Sequence, residues 1–339
     1  MVMKRIALTG IIVLMLATAL TAGVATSSID LLKIQTGART QAMGGAYISV
    51  TDDLEALDIN PAGLASIKKY ELLVLEDLYI QEVMLHSLYF GLGMEDMGAI
   101  GISVKYLMAG AVQEALEDQF GNFIGYGEEK TGYNYLVGIG YGVNLGKLFY
   151  GDFTKNLNVG ITAKLTGESL EGTAADFSNM AVSVDIGGIY TVVLEEQDFM
   201  SNRGQFIFNE IGLGFVVRNL GTSFEAEITP LSVAFGLYGQ MLNIAVSDNR
   251  LRIALDLDYN ISSGINARYG LEYFHKVSKI TLAVRTGGNM NFEERLASGY
   301  NAGGGIGMDF GDFEGIVDYV FVPFGDIGAN HKIGLYLKF

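Results

Sequence analysis

The residues of this chain that could do chemistry are few, and the densest group of them is acidic. It comprises Asp52, Asp53, Glu55 and Asp58. Carboxylate oxygens spaced in this way could bind a hard cation such as Ca²⁺. The same residues also suit the first turn of a helix that Thr51 caps, because the positive end of the helix dipole favours acidic side chains. We favour the helix and predict no metal site.

Nucleophilic catalysis has little support in the sequence. The histidines lie far apart and have no metal-ligand spacing; they are His86, His275 and His331. His86 and Ser87 are neighbours in a strand-like segment, where adjacent side chains point to opposite faces, so they do not suit a nucleophile and its base. The glycine run 303–305 lacks the Lys-Ser/Thr of a phosphate-binding loop, and the chain has no cysteine. We predict that the protein is not an enzyme and has no cofactor.

Composition narrows the class of protein. The 339 residues carry a formal net charge of −16, and 50% are hydrophobic whereas only 18% are charged. Globular proteins average about 25% charged residues, so this chain is unusually apolar. Its negative charge repels phosphate backbones, and we exclude nucleic acid as a partner. Beyond the N-terminus the sequence has no apolar run of about 18 or more residues, which excludes a bundle of transmembrane helices.

The N-terminus has the organisation of a secretory signal. Lys4 and Arg5 precede the apolar run IALTGIIVLMLATALTAGVA, which ends in small residues. A basic segment, an apolar core and small residues at the cleavage site define signal peptides. We therefore predict that residues 1–25 are a signal peptide; the alternative is an uncleaved anchor helix, because the apolar run is long.

Hydrophobic and polar residues alternate along most of the chain from residue 70 onwards. In LRIALDLDY (251–259), Leu251, Leu255 and Leu257 fall on one face, and the other face carries charged residues. A period of two predicts strands, because successive side chains of a strand point to opposite faces. We count about 14 such segments: 70–80, 84–93, 97–108, 133–145, 157–168, 180–194, 206–218, 231–245, 250–260, 266–275, 279–287, 300–310, 313–322 and 331–339.

The polar face of these segments mixes acids and bases. Its most prominent charges are Lys164, Asp185, Arg218, Arg252, Asp256, Arg268, Glu272, Arg285 and Asp318. Such a face could line the lumen of a membrane barrel, or it could be the solvated face of a soluble sandwich. Composition favours the barrel, whose apolar face meets lipid and whose closed sheet has no edge. We predict an all-β fold, in which residues 70–339 form a transmembrane antiparallel barrel of about 14 strands.

The ends of the segments carry aromatic residues where a membrane barrel needs them. Tyr106, Tyr259 and Phe321 end apolar faces, as in the interfacial girdles of such barrels. Phe339 ends the last alternating segment, and we predict that it is an assembly signal for the barrel assembly machinery. The expected location is the bacterial outer membrane, where lipid and lipopolysaccharide surround the barrel.

Residues 26–69 do not alternate. They predict loops and one short helix, which must end near Asn60 because Pro61 disfavours helix at the residue before it. Gly44, Gly45 and Gly63 indicate tight turns. We therefore separate residues 26–69 from the barrel.

Three blocks of sequence resemble a known family: ARTQAMGGAYIS (38–49), TDDLEALDINPAGLA (51–65) and VPFGDIGANHKIGLYLKF (322–339). Together with RNLG (218–221), they resemble the PorV/PorQ family, whose members are short relatives of the FadL-type fatty-acid channels. The resemblance implies an outer-membrane barrel in which residues 26–69 fold inside the lumen as a hatch. The residues assigned to the hatch motif are Gly44, Gly45, Asp52, Asp53, Asn60, Pro61, Ala62 and Gly63.

Two functions of different classes follow from this resemblance. PorV implies a non-enzymatic accessory of protein secretion or surface attachment, which engages secretion-system components or secreted proteins. FadL implies passive transport of hydrophobic small molecules, such as fatty acids or aromatic hydrocarbons. The connections 109–132 and 195–205 are natural sites for a partner or ligand, because the extracellular loops of barrels are long. We place the accessory role first, because charges rather than a continuous apolar path are expected in the lumen.

Overall fold

The computed structural model describes residues 30–78, 83–108, 112–170, 177–194, 206–222, 229–243, 249–291, 299–324 and 328–339. The predicted signal peptide and the connection 195–205 lie outside the described residues. In the described part of the chain, no helix has the length and the apolar character needed to cross a membrane.

Within the described residues, sixteen strands follow the N-terminal segment. They are β1 Tyr70–Leu78, β2 Met84–Gly93, β3 Ala99–Met108, β4 Val112–Glu117, β5 Phe123–Lys130, β6 Gly132–Asn144, β7 Leu157–Leu170, β8 Phe177–Val193, β9 Phe206–Gly221, β10 Ser232–Asn243, β11 Arg250–Asn260, β12 Gly264–Val277, β13 Ile280–Asn291, β14 Tyr300–Asp309, β15 Glu314–Pro323 and β16 Ala329–Lys338. Fourteen of them close into an antiparallel barrel, and β4 and β5 form a separate two-stranded sheet. The predicted all-β barrel of about 14 strands is confirmed, and each predicted segment overlaps one strand of the wall.

The barrel closes where its first and last strands meet. Leu72 of β1 lies opposite Leu337 of β16 on one side and Phe90 of β2 on the other. The backbone N–H of Phe339 donates to the carbonyl oxygen of Tyr70 at 2.9 Å. Each of the fourteen wall strands therefore has two neighbours, which leaves no unpaired sheet edge among them. We call the end of the barrel that holds Tyr70 and Phe339 the C-terminal end, and the other the opposite end.

The wall is apolar on its outside. In β11, Leu255 and Leu257 expose 54% and 51% of their surface outwards, whereas Arg252, Asp256 and Asp258 are buried inside. A soluble sandwich would show the reverse arrangement, because burial of apolar surface is the main driving force of folding in water. The alternation therefore places the apolar face where lipid would cover it.

The connection 109–132 contains secondary structure that the sequence analysis did not predict. Strands β4 and β5 form a hairpin there, and the carboxylate of Asp118 accepts hydrogen bonds from the backbone N–H groups of Phe120 and Asn122 at its turn. Gly121 has a φ of +80°, a conformation that favours glycine. The sequence pattern does not predict this hairpin, because its short strands carry several acids and glycines and show no long apolar face.

Residues 30–69, which we call the hatch, lie inside the ring of strands. Their helical segments are the 3₁₀ turns Asp30–Leu32 and Pro61–Ser66 and the α-helices Ala38–Ala42 and Ala56–Ile59. The predicted helix does end before Asn60, but Thr51 does not cap it. The Thr51 hydroxyl donates to the Tyr47 carbonyl at 2.5 Å, and the helix begins only after Glu55. The helix Ala38–Ala42 was not predicted, because five residues are too few for a helical period.

The hatch touches the wall where the wall has glycines. A Cβ atom on Gly160 would lie 2.3 Å from the Pro61 carbonyl carbon, and one on Gly287 would lie 2.3 Å from that of Met43. A side chain at either position would collide with the hatch backbone, so glycine permits this close approach. The hatch side chains Leu54, Leu57 and Leu64 are completely buried.

Candidate functional site

One buried arginine ties the hatch to the wall. The Arg39 guanidinium donates two parallel hydrogen bonds to Glu272 of β12, from Nε at 2.7 Å and from Nη2 at 2.9 Å. Its Nη1 also donates to Asp52 at 2.5 Å and to Asp53 at 3.0 Å. A bidentate pair is the strongest geometry available to an arginine and a carboxylate. Arg39 thus holds two acids of the hatch and one of the wall together.

Two wall arginines complete this group, which we call the arginine cluster. Arg285 donates to Glu272 at 2.7 Å and to Asp318 at 2.6 Å. Arg252 donates to Asp52 at 2.9 Å and lies 3.4 Å from Glu272. The members of the arginine cluster are Arg39, Asp52, Asp53, Arg252, Glu272, Arg285 and Asp318. Removal of one carboxylate would leave buried guanidinium groups with unmatched charge.

An aromatic ring lies against the arginine cluster. The guanidinium carbons of Arg39, Arg252 and Arg285 lie 5.6, 5.6 and 5.8 Å from the centre of the Phe274 ring, and Arg250 lies at 5.3 Å. Such distances allow attraction between the cations and the negative face of the ring. Phe274 therefore adds a partner for guanidinium groups that stand close together.

A second wall acid holds the hatch through its backbone. The Asp256 carboxylate accepts hydrogen bonds from the N–H groups of Tyr47 at 2.7 Å and Ile48 at 2.9 Å. Tyr47 also donates from its hydroxyl to Asp53 at 2.8 Å. The segment after Gly44 and Gly45, whose φ values are +63° and +82°, is thereby fixed to β11.

The remaining predicted lumen charges lie towards the opposite end. Asp258 accepts from both Arg218 at 3.1 Å and Arg268 at 2.9 Å. The Lys164 ammonium lies 2.5 Å from Asp185. All nine charges chosen from the sequence thus point into the barrel, where Arg268 is half-buried and the other eight are buried.

The Asn-Pro-Ala element of the hatch motif lies against β6, β7 and β8. Asn60 donates from its side chain to the Ile48 carbonyl at 2.9 Å and accepts from the Ala62 N–H at 3.2 Å. Pro61, Ala62 and Gly63 begin the 3₁₀ turn that follows and are buried. The wall offers Gly142, Gly160 and Gly187 to this element, and we call these three glycines the glycine seat.

Sequence reasoning missed several residues of the site. Arg39 lies within a block used for the resemblance but was not chosen, although it is the only arginine between residues 26 and 69. Lys105 and Lys332 belong to the polar face that the alternation predicts, but their partners were not predicted: Lys105 pairs with Asp58 and Lys332 with Asp77, both at 2.7 Å. A lone arginine in an acidic segment was the available signal for Arg39, whereas no local pattern indicates which acids pair with Lys105 and Lys332.

Glu55 is the least expected of these residues. Its buried carboxylate accepts from the N–H of Thr40 at 2.9 Å and from the hydroxyls of Thr40 and Tyr336. Burial, with the nearby charge of Asp53, raises the pKa of Glu55 to about 7. Glu55 is therefore poised to change its protonation state near neutral pH.

The four clustered acids do not converge on one point. Asp52 and Asp53 turn towards Arg39, Glu55 towards Thr40, and Asp58 towards Lys105. Within the described residues no group of three acidic or histidine side chains could hold a metal ion. The histidines lie apart: His86 contacts Glu76 at 2.6 Å, His331 contacts Tyr319 and His275 contacts Asn249, both at 2.7 Å.

The hatch lies between two cavities of similar size. The cavity at the opposite end has a volume of about 260 Å³. Five leucine and isoleucine side chains line it, among them Leu31, Ile34 and Leu136, together with seven charged residues, among them Lys105 and Arg268. The cavity at the C-terminal end has a volume of about 270 Å³ and is lined by Phe274 and many charged residues. The two cavities have no lining residue in common. Both linings are mainly polar or charged. The first includes more large aliphatic side chains than the second, and we call it the amphipathic cavity.

Fold and site define a closed antiparallel barrel that is plugged by its own N-terminal segment. The chain belongs to the uncharacterised protein family UPF0164, whose model matches residues 18–268. That match includes the hatch, the wall from β1 to β11 and the first five residues of β12. The PorV/PorQ resemblance stays a prediction. No curated protein matches the sequence.

Solved structures share the architecture. A crystal structure of the Pseudomonas putida toluene transporter TodX matches with 12% identity and a TM-score of 0.52, over 89% of this chain and 96% of TodX. A second TodX structure matches with 11% identity and a TM-score of 0.50, over 93% and 98%. A Pseudomonas aeruginosa FadL homologue has 9% identity and a TM-score of 0.46, over 93% and 98%. The TodX structures show that this chain shares their fold.

Proposed function

We propose that the protein is a non-enzymatic barrel of the bacterial outer membrane that passes hydrophobic small molecules across that membrane. The outward leucines of β11 support the location, because lipid contact removes the cost of exposing them to water. The predicted signal peptide would direct the chain to export. Membrane lipid and lipopolysaccharide would then surround the wall.

The C-terminal end would face the periplasm. Barrels of this class have short periplasmic turns and longer extracellular loops. The hairpin connection 109–131 lies at the opposite end, where it is the longest of the connections between wall strands. Phe339 would serve the barrel assembly machinery at the periplasmic side, and poor membrane assembly of a chain that lacks Phe339 would support this role.

The amphipathic cavity carries the proposal of a hydrophobic substrate. Its apolar side belongs to a buried cluster of Leu31, Leu85, Leu107 and Leu136. A volume of about 260 Å³ suits a small apolar molecule. TodX is named a toluene transporter, and we assign aromatic hydrocarbons or fatty acids of similar volume to this cavity as substrates.

Passage would require the hatch to move. The hatch fills the lumen between the two cavities, and the arginine cluster is its strongest visible attachment to the wall. The described conformation is therefore a closed one. The arginine cluster would act as a latch. Its release would connect the amphipathic cavity to the periplasmic end of the barrel.

Toluene binding to the purified barrel tests the substrate class. Leu31→Gln should weaken binding by about tenfold or more, because burying a leucine side chain contributes roughly 1.5–3 kcal/mol. Phe274 lines the other cavity, so the control variant Phe274→Leu should leave toluene binding unchanged. Failure of the wild-type protein to bind toluene or a short fatty acid would contradict the proposal.

A secretion accessory that resembles PorV is the second candidate. The observation that favours it is the hairpin β4–β5, on which Phe120, Ile124 and Tyr126 are strongly exposed. A surface of this kind suits contact with another protein. A strain without the gene would then lose the surface delivery of secreted proteins, whereas the transporter proposal expects normal delivery and reduced uptake of toluene.

A further inference from the structure

The connection between β6 and β7, residues 145–156, has an unusual surface. It lies at the C-terminal end and carries Leu148, Phe149, Tyr150 and Phe153, each of which exposes more than half of its surface. Turns are usually polar, and exposed clusters of large apolar side chains mark sites of contact. Neither the lumen nor the hatch uses this segment, so its role must be sought outside the barrel.

The segment has a defined fold. The Asn144 side chain accepts from the Gly146 N–H at 2.9 Å and donates to the Lys155 carbonyl at 2.9 Å. The Thr154 hydroxyl donates to the Phe149 carbonyl at 2.7 Å. These bonds close the helix Leu145–Leu148 and the following turn into one unit that presents its apolar side chains outwards.

This unit continues the apolar outer face of the wall. The Phe153 ring stacks on Tyr190 of β8, with ring centres 5.0 Å apart and an angle of 20° between the planes. Tyr190 points outwards, since it alternates with the buried Ile189. Further along β6 and β7, Ile139 and Ile161 are exposed on the same outer face. The apolar surface is therefore continuous from mid-wall to the segment.

The charges of residues 145–156 do not determine what this segment binds. Lys155 lies 3.2 Å from Asp152, and Lys147 lies 3.9 Å from Asp96, so each lysine has an exposed acid nearby. Each exposed lysine–carboxylate pair contributes little to stability, and its ammonium group stays able to contact a lipid phosphate. Contact would instead depend on the aromatic rings, which prefer the boundary between lipid tails and headgroups.

We propose that residues 145–156 form an anchor in the headgroup layer of the phospholipid leaflet at the C-terminal end of the barrel. The inference rests on the proposed membrane location. Aromatic anchors at membrane interfaces fix the depth and tilt of a protein. This anchor would fix the barrel on the side of β6–β8, where the glycine seat receives the hatch.

The chain has no tryptophan, so single-tryptophan variants give an unmixed fluorescence signal. We would place mature Tyr150→Trp protein in phosphatidylcholine vesicles whose acyl chains are brominated at shallow or deep positions. Leu255→Trp, on the outer face at the middle of β11, reports the wall, and Phe120→Trp reports the hairpin at the opposite end. We expect Tyr150→Trp to be quenched by shallow bromines, Leu255→Trp by deep ones, and Phe120→Trp by neither.

The three reporters separate the two claims. If Leu255→Trp is quenched while Tyr150→Trp behaves like Phe120→Trp, the anchor is wrong and the membrane location stands. If Leu255→Trp is not quenched, the membrane location fails as well. Because a tryptophan could enter the interface by itself, Phe149→Ser and Phe153→Ser are added to Tyr150→Trp. Shallow quenching should then fall by at least half, and unchanged quenching would overturn the anchor.

Discussion

The hatch meets the wall by two kinds of contact. Against β6–β8, the glycine seat lets Pro61 approach the strands closely, and the contact is backbone packing. Against β11–β15, the arginine cluster joins Arg39 to Glu272 through charges, and Arg285 links Glu272 to Asp318. Packed backbone cannot separate without loss of its van der Waals contacts, whereas the charges of the arginine cluster line the cavity at the C-terminal end and can exchange partners for water that enters it. We infer that the glycine seat is the fixed side of the hatch and the arginine cluster the releasable side.

The largest expected effect is that of Glu272→Gln. This change leaves Arg39, Arg252 and Arg285 without their shared carboxylate, and breaking a buried ion pair typically costs about 3–5 kcal/mol. Urea unfolding of the reconstituted barrel would measure the loss. Lys155→Gln, which breaks an exposed pair, is the control and should change stability by no more than about 1 kcal/mol. Equal stability of Glu272→Gln and wild type would show that the arginine cluster does not hold the hatch.

The next largest effect is a dependence of folding stability on pH. It comes from Glu55, which lies in the hatch between the glycine seat and the arginine cluster. The unfolded pKa of glutamate is about 4.3, and burial raises the pKa of Glu55 to about 7 in the folded protein. A raised pKa stabilises the fold below the unfolded value, and this stability is lost as pH rises through 7. The loss should reach about 3 kcal/mol between pH 4 and pH 8.

Glu55→Gln tests this dependence, because the amide imitates the protonated acid. Unfolding at a series of pH values should show a falling stability for the wild type relative to Glu55→Gln. Parallel pH profiles of the two proteins would mean that Glu55 does not change its protonation state in this range.

A smaller effect is expected at the glycine seat. Gly160→Ala forces a Cβ to within 2.3 Å of Pro61, and overpacking of this kind costs about 1–3 kcal/mol. Gly188→Ala is the matched control on the neighbouring strand, since its Cβ would have no contact closer than 3.7 Å. Thermal unfolding of the two variants would reveal the difference. A tolerated Gly160→Ala would indicate that the hatch is loosely seated on this side too.

How far the sequence predicts this molecule depends on the range of the interaction. Alternation of apolar and polar residues is a local property. The position of Leu255 or Asp256 in its strand therefore predicts whether the side chain points outwards or into the lumen. The pairing of Arg39 with Glu272 joins residues 233 positions apart, and no local pattern encodes it. The helix at Ala56 was placed too early because the acids before it bind Arg39 instead of forming its first turn. Tertiary charge pairing thus overrides the local preference for a capped helix.

The most direct test of the account is the rate of toluene uptake into vesicles that contain the wild type, Glu272→Gln or Gly160→Ala. If the arginine cluster is the latch of a transport barrel, Glu272→Gln should take up toluene faster than the wild type. Gly160→Ala should not be faster, because it disturbs only the fixed side. Unchanged uptake in Glu272→Gln, or equal acceleration in both variants, would contradict the account.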